Sequence, residues 1–203
     1  MTTTSAELDG LSPDVLDHLF TEARTAYSWA DGPVSDDVVA AAVRAAVHGP
    51  TAFNTQPMRV LAIRDPAVRA RLVSHLMGSN QEKTTGAPLT LVLTADTAFA
   101  DTAETVFPQA AQLIRSLFED RAAAEPAARL NAAMQAGYLI VALRAAGLAV
   151  GPMSGGDFAG IDADLFEGTA QKSFLVLNLG YPTAESFRPR NPRVDSDLVL
   201  RTV

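Results

Sequence analysis

The chain has 203 residues, of which 48% are hydrophobic and 19% charged, so it can bury a substantial core and is not expected to be disordered. Its formal net charge of −7 argues against nucleic acid as the main partner, because phosphate backbones require clustered Lys and Arg. The lack of cysteine excludes disulfides, thiol nucleophiles, zinc–cysteine sites and iron–sulfur ligation.

The sequence favours a cytoplasmic protein that does not associate with membranes. Residues 1–10 lack a basic region followed by an apolar run, so we expect no secretory signal. The most apolar window, 136–152, contains Arg144 and several glycines and is too short to span a bilayer. We expect a buried helix there instead.

The N-terminal third is predicted to contain a loose arm and two helices. The arm covers residues 1–11. Ser12-Pro13 supplies a helix N-cap followed by proline at the first helical position, and apolar residues continue at helical spacing to Ala23. A second helix starts after Ser35, carries two carboxylates in its first turn, and runs to about Val47.

The rest of the chain is predicted to alternate strands and helices. Continuous apolar runs with β-branched residues indicate strands covered on both faces, and 3.6-residue periodicity indicates helices. A layered α/β or α+β architecture follows from this alternation, and we expect one domain. The predicted strands are 58–63, 87–95 and 173–181, and the predicted helices are 65–76, 108–121 and 126–147.

Several enzyme classes lack their motifs in this sequence. No G-x-G-x-x-G follows a strand, and neither G-x-x-x-x-G-K-[ST] nor G-x-S-x-G occurs. The three histidines, His18, His48 and His75, include no pair at metal-ligand spacing. Hydrolase and metalloenzyme functions are therefore disfavoured, and no metal site is expected.

The segment GPTAFNTQP, residues 49–57, gathers neutral hydrogen-bonding side chains in a stretch too short for a helix. Asn54 and Gln56 each offer an amide donor and acceptor, and Thr51 and Thr55 add hydroxyls. A side-chain-capped turn explains one such residue but not all four. We therefore expect this loop to hold a ligand.

Three other segments carry polar groups that a packed core does not need. Taken alone, the first has an ordinary interpretation as a solvated arginine near a helix end, and the second as a polar loop. They are EARTAYSW with Arg24 and Thr25, GSNQEKTTGAP (78–88) with Asn80 and Lys83, and GPMSGGD (151–157) joined with RPRNPR (188–193).

In this order the four segments resemble the FMN-dependent nitroreductase family. Within that family the chain looks most similar to the malonic semialdehyde reductase branch, through "LFTEARTxxxW", "GPTxxNxxP", "N-x-x-K…AP", "GYLIxAxRxxGL-x-x-GPMSG" and "FLxxNLGY". The resemblance runs from about residue 13 to the C-terminus. It implies an α+β, three-layer fold with a central, mainly antiparallel or mixed sheet, and FMN bound at the interface of an intertwined homodimer.

The resemblance also implies where the FMN phosphate binds. Arg24 and Thr25, with one or both of Arg190 and Arg193, are the expected ligands, and guanidinium groups suit phosphate because they bind it bidentately. The second arginine of the family's R-S-x-R motif is Tyr27 here. The phosphate site is therefore expected to depend more heavily on the C-terminal arginines.

The flavin ring is expected to contact the remaining site residues. Asn54 and Gln56 suit its pyrimidine edge, with Pro50 and Thr51 alongside. Lys83, with Asn80 beside it, suits the negative charge that reduction places near N1 and the C2 carbonyl. The turn expected near N5 comprises Pro152, Met153, Ser154 and Gly155, and Ser154 stands where many family members carry Glu.

The implied activity is that of an FMN-dependent NAD(P)H oxidoreductase in which the nicotinamide leaves before the second substrate binds. The branch suggests reduction of malonic semialdehyde to 3-hydroxypropionate in pyrimidine degradation. A broad nitro or quinone reductase and a flavin-binding module with little turnover are the alternatives. No catalytic residue is assigned, and Tyr27, Tyr138 or bound water are candidate proton donors, with core packing the favoured role of Tyr138.

The predicted helix at 126–147 bears on oligomeric state. Its apolar surface is wider than one core face requires. A monomer's central helix and a dimer-interface helix both fit this pattern, and the resemblance favours the dimer. The apolar residues are Leu130, Met134, Tyr138, Leu139, Val141, Ala142 and Leu148.

Overall fold

In the computed structural model of this chain, residues 10–203 are described, and most of the predicted 1–11 arm lies outside them. Four strands within this range form one sheet. They are β1 (Met58–Ile63), β2 (Leu89–Asp96), β3 (Ala149–Met153) and β4 (Gln171–Gly180).

The strands pair in the order β1-β2-β4-β3, and every pairing is antiparallel. Helices surround this sheet. Those of residues 10–203 are α1 (Pro13–Leu16), α2 (Asp36–Ala46), α3 (Pro66–Ser74), α4 (Ser79–Gly86), α5 (Ala103–Val106), α6 (Ala111–Leu117), α7 (Arg121–Ala145), α8 (Phe158–Leu165) and α9 (Ser196–Val199).

The sheet separates two hydrophobic clusters, which makes the fold three-layered. Leu91 and Leu177 pack with buried residues of α2 and α7. Their neighbours Val92 and Val176 pack with Leu72 of α3 and with α8. Successive strand residues face opposite sides of a sheet, so one strand serves both clusters. The predicted three-layer α+β fold is confirmed, with a wholly antiparallel sheet.

Helix α7 begins five residues before its predicted start at residue 126. The Asp120 side chain accepts a hydrogen bond from Ala122 N–H and caps the helix at its true first residue, Arg121. Pro126 lies inside the helix rather than at its start. No helix among residues 10–203, α7 included, is long and apolar enough to cross a membrane.

Segments around the predicted site that were expected to be loops or turns contain helices and part of a strand. The predicted polar loop at 78–88 contains α4, which periodicity does not indicate because Thr84 is its one buried residue. The predicted GPMSG turn begins inside β3. Helix α8, capped by the Asp157 side chain, was not predicted.

Two predicted helices are shorter than expected. The helix expected to reach Ala23 is α1 followed by a wider π-helical turn, Asp17–Thr21. The helix expected at 108–121 is a 3-10 turn, Pro108–Ala110, followed by α6. By contrast, Ser35 caps α2 as predicted, because its hydroxyl accepts a hydrogen bond from Val38 N–H.

Candidate functional site

Two cations lie against the ring of Tyr27. The Lys83 ammonium nitrogen is 5.0 Å from the ring centroid, and the Arg188 guanidinium carbon is 4.1 Å from it, both within cation–π range. Burial, and then the charge of Arg188, lower the pKa of Lys83. Among residues 10–203, no carboxylate oxygen lies within 4.0 Å of either cation.

Arg24 and Arg190 extend this positive region. Arg24 Nη1 donates to the Arg188 carbonyl oxygen at 3.3 Å, and Arg190 Nη2 donates to the Ala23 carbonyl oxygen at 3.1 Å. Arg193 instead donates to carbonyls of its own segment. We call Arg24, Lys83, Arg188 and Arg190 the cation group; Thr25 is exposed beside it.

Arg188 was not predicted as a site residue. It is the first arginine of RPRNPR and lies two positions before Arg190. In an extended segment, residues two apart point to the same side. This spacing is the sequence signal that could have identified it.

The turn at Gly155 contacts α4 closely. Asn80 Nδ2 donates to the Gly155 carbonyl oxygen at 3.0 Å, and Met77 N–H donates to the same oxygen at 3.1 Å. A Cβ on Gly155 would lie 2.8 Å from Asn80 Nδ2, so a larger residue would displace the amide. Asn80 and Gly155, predicted from separate segments, therefore lie together.

The other residues of the predicted turn have different environments. Pro152 and Met153 belong to β3, where they pair with β4. Met153 is buried, Pro152 is half-buried, and Ser154 is exposed. The turn proper therefore begins at Ser154, where the strand ends.

A buried hydrogen-bond chain connects the sheet to α4. Thr90 Oγ1 donates to Asn178 Oδ1 at 2.9 Å, and Asn178 Nδ2 donates to Thr84 Oγ1 at 3.0 Å. Asn178 Nδ2 also lies 3.8 Å from the sulfur of Met153. Because Thr84 follows Lys83 in α4, this chain fixes the helix that carries Lys83 against β4 and β2.

Residues 50–57 of the GPTAFNTQP segment, called the 50–57 loop from here on, have a strained backbone. Phe53, Asn54 and Gln56 have φ values of 53°, 55° and 45°, in the left-handed region that non-glycine residues rarely adopt. Asn54 Nδ2 donates to the Val106 carbonyl oxygen at 2.8 Å, and Gln56 Nε2 donates to Asn54 Oδ1 at 3.0 Å. The two amides therefore form one ordered polar surface.

Helix α7 holds both ends of this loop. Asn131 Oδ1 accepts from Ala52 N–H at 2.6 Å, and Gln135 Oε1 accepts from Met58 N–H at 3.1 Å. Both side chains are buried. The Thr51 hydroxyl accepts from a further backbone N–H of the loop. The two buried amides were not predicted as site residues, although polar residues four apart in an apolar helix are a recognisable signal.

The hydrogen-bond partners of the loop among the described residues do not include the cation group. Across residues 10–203, no hydrogen bond or ion pair links residues 50–57 to the four cations. The predicted site residues of the loop are therefore not bonded to those of the cation group within one chain.

An apolar groove of about 770 Å³ begins beside the loop, where Pro50 lines it. Phe20, Met134 and Tyr138 contribute exposed apolar surface to the groove. A Cβ on Gly49 would lie 2.9 Å from the Tyr138 ring, so this glycine lets the ring pack closely. Tyr138 is 50% exposed, so the role in core packing expected for it is wrong.

Comparison with known proteins identifies the family. The profile of the Nitroreductase family matches residues 21–181. A Streptomyces coelicolor protein, provisionally named as an NADH dehydrogenase/NAD(P)H nitroreductase, is 42% identical over 193 residues, which are 95% of this chain and 98% of that protein.

Solved structures share the fold. A protein from Bacillus subtilis, provisionally described as a nitroreductase, has a TM-score of 0.83 at 20% identity, covering 93% of this chain and 98% of its own. Another from Exiguobacterium sibiricum, solved in complex with FMN, has a TM-score of 0.82 at 15% identity, covering 95% of this chain and 98% of its own. The sequence resemblance is confirmed at the level of the family: the chain belongs to the nitroreductase family.

Proposed function

We propose that the chain, acting as one domain in a homodimer, is an FMN-dependent NAD(P)H oxidoreductase. The observation that carries this proposal is the placement of Lys83 and Arg188 on one tyrosine ring, in a region without a compensating carboxylate among the described residues. An anionic cofactor would relieve the repulsion between these cations.

The residues present fit FMN chemically. Arg24 Nε is buried without a hydrogen-bond partner among the described residues, so a cofactor oxygen would satisfy it. Asn80 and Lys83 offer an amide and a cation on one helix. The contact between Asn80 and Gly155 shows that the backbone approaches closely where a planar ring would need small neighbours.

FMN, when bound, supplies hydride acceptance and donation, and the residues of this chain supply binding and orientation. Lys83 would favour negative charge on a neighbouring ring because a cation close to a developing charge stabilises it. Arg24 and Arg190 would hold the phosphate, and we now add Arg188 as a candidate for that role. No side chain is assigned as a proton donor.

Two chains are needed for a complete site under this proposal. Among residues 10–203 no hydrogen bond or ion pair joins the 50–57 loop to the cation group of its own chain, and the apolar groove begins at the same loop. A second copy seated in the groove would cover exposed apolar surface, which drives most homodimer association. We propose that the loop then contributes Asn54 and Gln56 to the cofactor held by the partner copy.

The proposed physiological acceptor is malonic semialdehyde, in agreement with the order of motifs along the chain. A broad nitro or quinone reductase is the second candidate, because curated relatives such as the Streptomyces coelicolor protein carry a nitroreductase name. NADH and NADPH are both retained as electron donors.

An anaerobic visible spectrum of the purified protein, before and after adding NADPH or NADH, tests the proposal. A flavin spectrum that bleaches supports the cofactor and the first half-reaction. Malonic semialdehyde, a nitroarene and a quinone are then ranked by the rate at which each restores the colour. A flavin that stays oxidised supports a binding module with little turnover, and a protein that does not take up added FMN overturns the proposal.

A further inference from the structure

A small pocket lies on the far side of Arg24, between the N-terminal segment and the end of α7. Its volume is about 180 Å³, and its lining includes two arginines, one histidine, one carboxylate and one aromatic ring: Arg24, Arg144, His18, Glu22 and Phe187. One water occupies about 30 Å³ in the liquid, so a five-atom phosphate group has room here. Of these residues, only Arg24 was predicted to bind a ligand.

Positive charge accumulates around this pocket. Arg144 Nη1 donates to the Leu19 carbonyl oxygen at 3.4 Å, and His18 Nε2 lies 2.8 Å from the Arg144 carbonyl oxygen. Burial, and then the charge of Arg190, lower the pKa of Arg144. Arg144 is half-buried, so solvent and salt screen the interaction between its charge and neighbouring charges less than they would on an open surface.

The Glu22 carboxylate, which also lines the pocket, balances only part of this charge. Among residues 10–203, no acidic oxygen lies within 4.0 Å of Arg144 or Arg190. The Arg24 guanidinium has Glu22 at 4.0 Å, and that carboxylate is exposed. Two guanidinium groups, those of Arg24 and Arg144, therefore line one small pocket that contains a single carboxylate, Glu22.

Arg24 also has an unused donor. Its Cζ lies 5.5 Å from the centroid of the Phe187 ring, and its Nε is buried with no hydrogen-bond partner among residues 10–203. Buried donors almost always have a partner, so one that lacks it indicates a group that binds there. Phosphate oxygens match the fork of guanidinium donors, as carboxylate oxygens do, and a phosphate monoester carries the larger negative charge.

We propose that this pocket binds a phosphate monoester and that Arg144 is one of its ligands. This inference rests on the proposed function, because two phosphate monoesters are then present: the FMN phosphate and the 2′-phosphate of NADPH. Arg144 adds a cation from α7, a helix that none of the predicted phosphate ligands occupies. The pocket would thus connect cofactor binding to the helix that also holds the 50–57 loop.

The test compares Arg144→Gln with Arg121→Gln. Both changes remove one arginine charge from α7, but Arg121 lies at the opposite end, exposed and paired with Asp101. Dissociation constants for FMN and for riboflavin, which lacks the phosphate, are measured on the apo-protein by flavin fluorescence. KM values for NADPH and NADH are measured on the FMN-loaded enzyme.

If the pocket takes the FMN phosphate, Arg144→Gln weakens FMN by about tenfold or more, the effect of losing one charged hydrogen bond, and leaves riboflavin unchanged. If it takes the 2′-phosphate, the KM for NADPH rises by a similar factor and that for NADH does not. Arg121→Gln should change neither the affinity for FMN relative to riboflavin nor the KM for NADPH relative to that for NADH. Equal effects on phosphorylated and unphosphorylated ligands, or equal effects of both variants, overturn the proposal.

A second measurement covers the case in which Arg144→Gln does not fold. Inorganic phosphate should raise the Tm of the unaltered apo-protein above that in chloride at equal ionic strength, and FMN should remove this extra stabilisation if its phosphate takes the pocket. No difference between phosphate and chloride counts against the pocket. A protein that binds phosphate here but never takes up FMN would overturn the proposed function and leave the anion pocket standing.

Discussion

The Lys83 ammonium group lies 5.0 Å from the ring centroid of Tyr27, the residue that stands where the nitroreductase resemblance leads one to expect an arginine. The ring face attracts cations, and Arg188 occupies it as well at 4.1 Å. An aromatic residue therefore holds two cations at a position where an arginine would have added a third. Burial, and then the repulsion from Arg188, lower the pKa of Lys83.

Replacing Arg188 by Gln should raise the pKa of Lys83. A lysine whose pKa is lowered is charged at low pH and loses its proton at a lower pH than an ordinary lysine. The rate of FMN reduction by NADPH should therefore fall in alkaline solution, with an apparent pKa below the ordinary lysine value. With FMN kept saturating, Arg188→Gln should shift that fall to higher pH.

Two comparisons decide whether Lys83 is the titrating group. Arg193→Gln removes a charge from the same segment, but Arg193 donates to its own backbone and should leave the profile in place. Lys83→Met should abolish the alkaline fall. A profile that stays the same in Lys83→Met would show that another group titrates.

Asn131→Leu should destabilise the protein and loosen the 50–57 loop. The change leaves Ala52 N–H, now bonded at 2.6 Å, without its acceptor. A buried polar group left unpaired costs about 1–3 kcal/mol, which urea unfolding at fixed protein concentration measures. FMN affinity should fall as well, because the strained backbone at Asn54 would be less well defined.

The control for this change is Gln112→Leu, an amide-to-leucine substitution on the exposed surface of α6. It should alter the free energy of unfolding by no more than about 0.5 kcal/mol. If the two variants unfold at the same urea concentration, Asn131 does not anchor the loop.

Sequence patterns correctly predicted the helices and strands that are determined by neighbouring residues in the chain. Ser35 sits in its expected cap, and the apolar run around Leu91 forms the expected strand. Helix α4 was missed because distant residues hold it in place. Asn178 bonds Thr84, and Arg69 donates to the Ala87 carbonyl at the end of the helix.

The candidate site also contains residues that the sequence could identify and contacts that depend on distant parts of the chain. Asn80 and Lys83 were identified through the N-x-x-K motif of the family resemblance, and the structure adds that both side chains lie on one face of α4, three residues apart. The contact between Tyr27 and Arg188 was not predicted, because it depends on the path of the C-terminal segment past residue 26. That path is set by an isolated bridge between Ala26 and Phe187.

Gly180→Ala should overpack the end of β4. A Cβ at this position would lie 2.7 Å from Trp29, whose indole N–H is already fixed to the Ala149 carbonyl at 2.9 Å. Forced displacement in a packed region costs about 1–3 kcal/mol, measurable by urea unfolding. Gly86→Ala, which meets nothing within 4 Å at the end of α4, should be neutral or stabilising by up to about 1 kcal/mol. Similar losses in both variants would mean that Trp29 moves freely.

Met134→Asp should separate the proposed dimer. Met134 is 39% exposed in the apolar groove, and a charge buried there between two copies would lack a partner. Light scattering after size exclusion should show dimers in the unaltered protein and monomers in the variant. Leu117→Asp places the same charge on an exposed leucine of α6 outside the groove and should remain dimeric. The monomeric variant should also lose FMN, because the loop of one chain would no longer reach the cation group of the other. A monomer that retains FMN at full affinity would show that one chain builds the site alone.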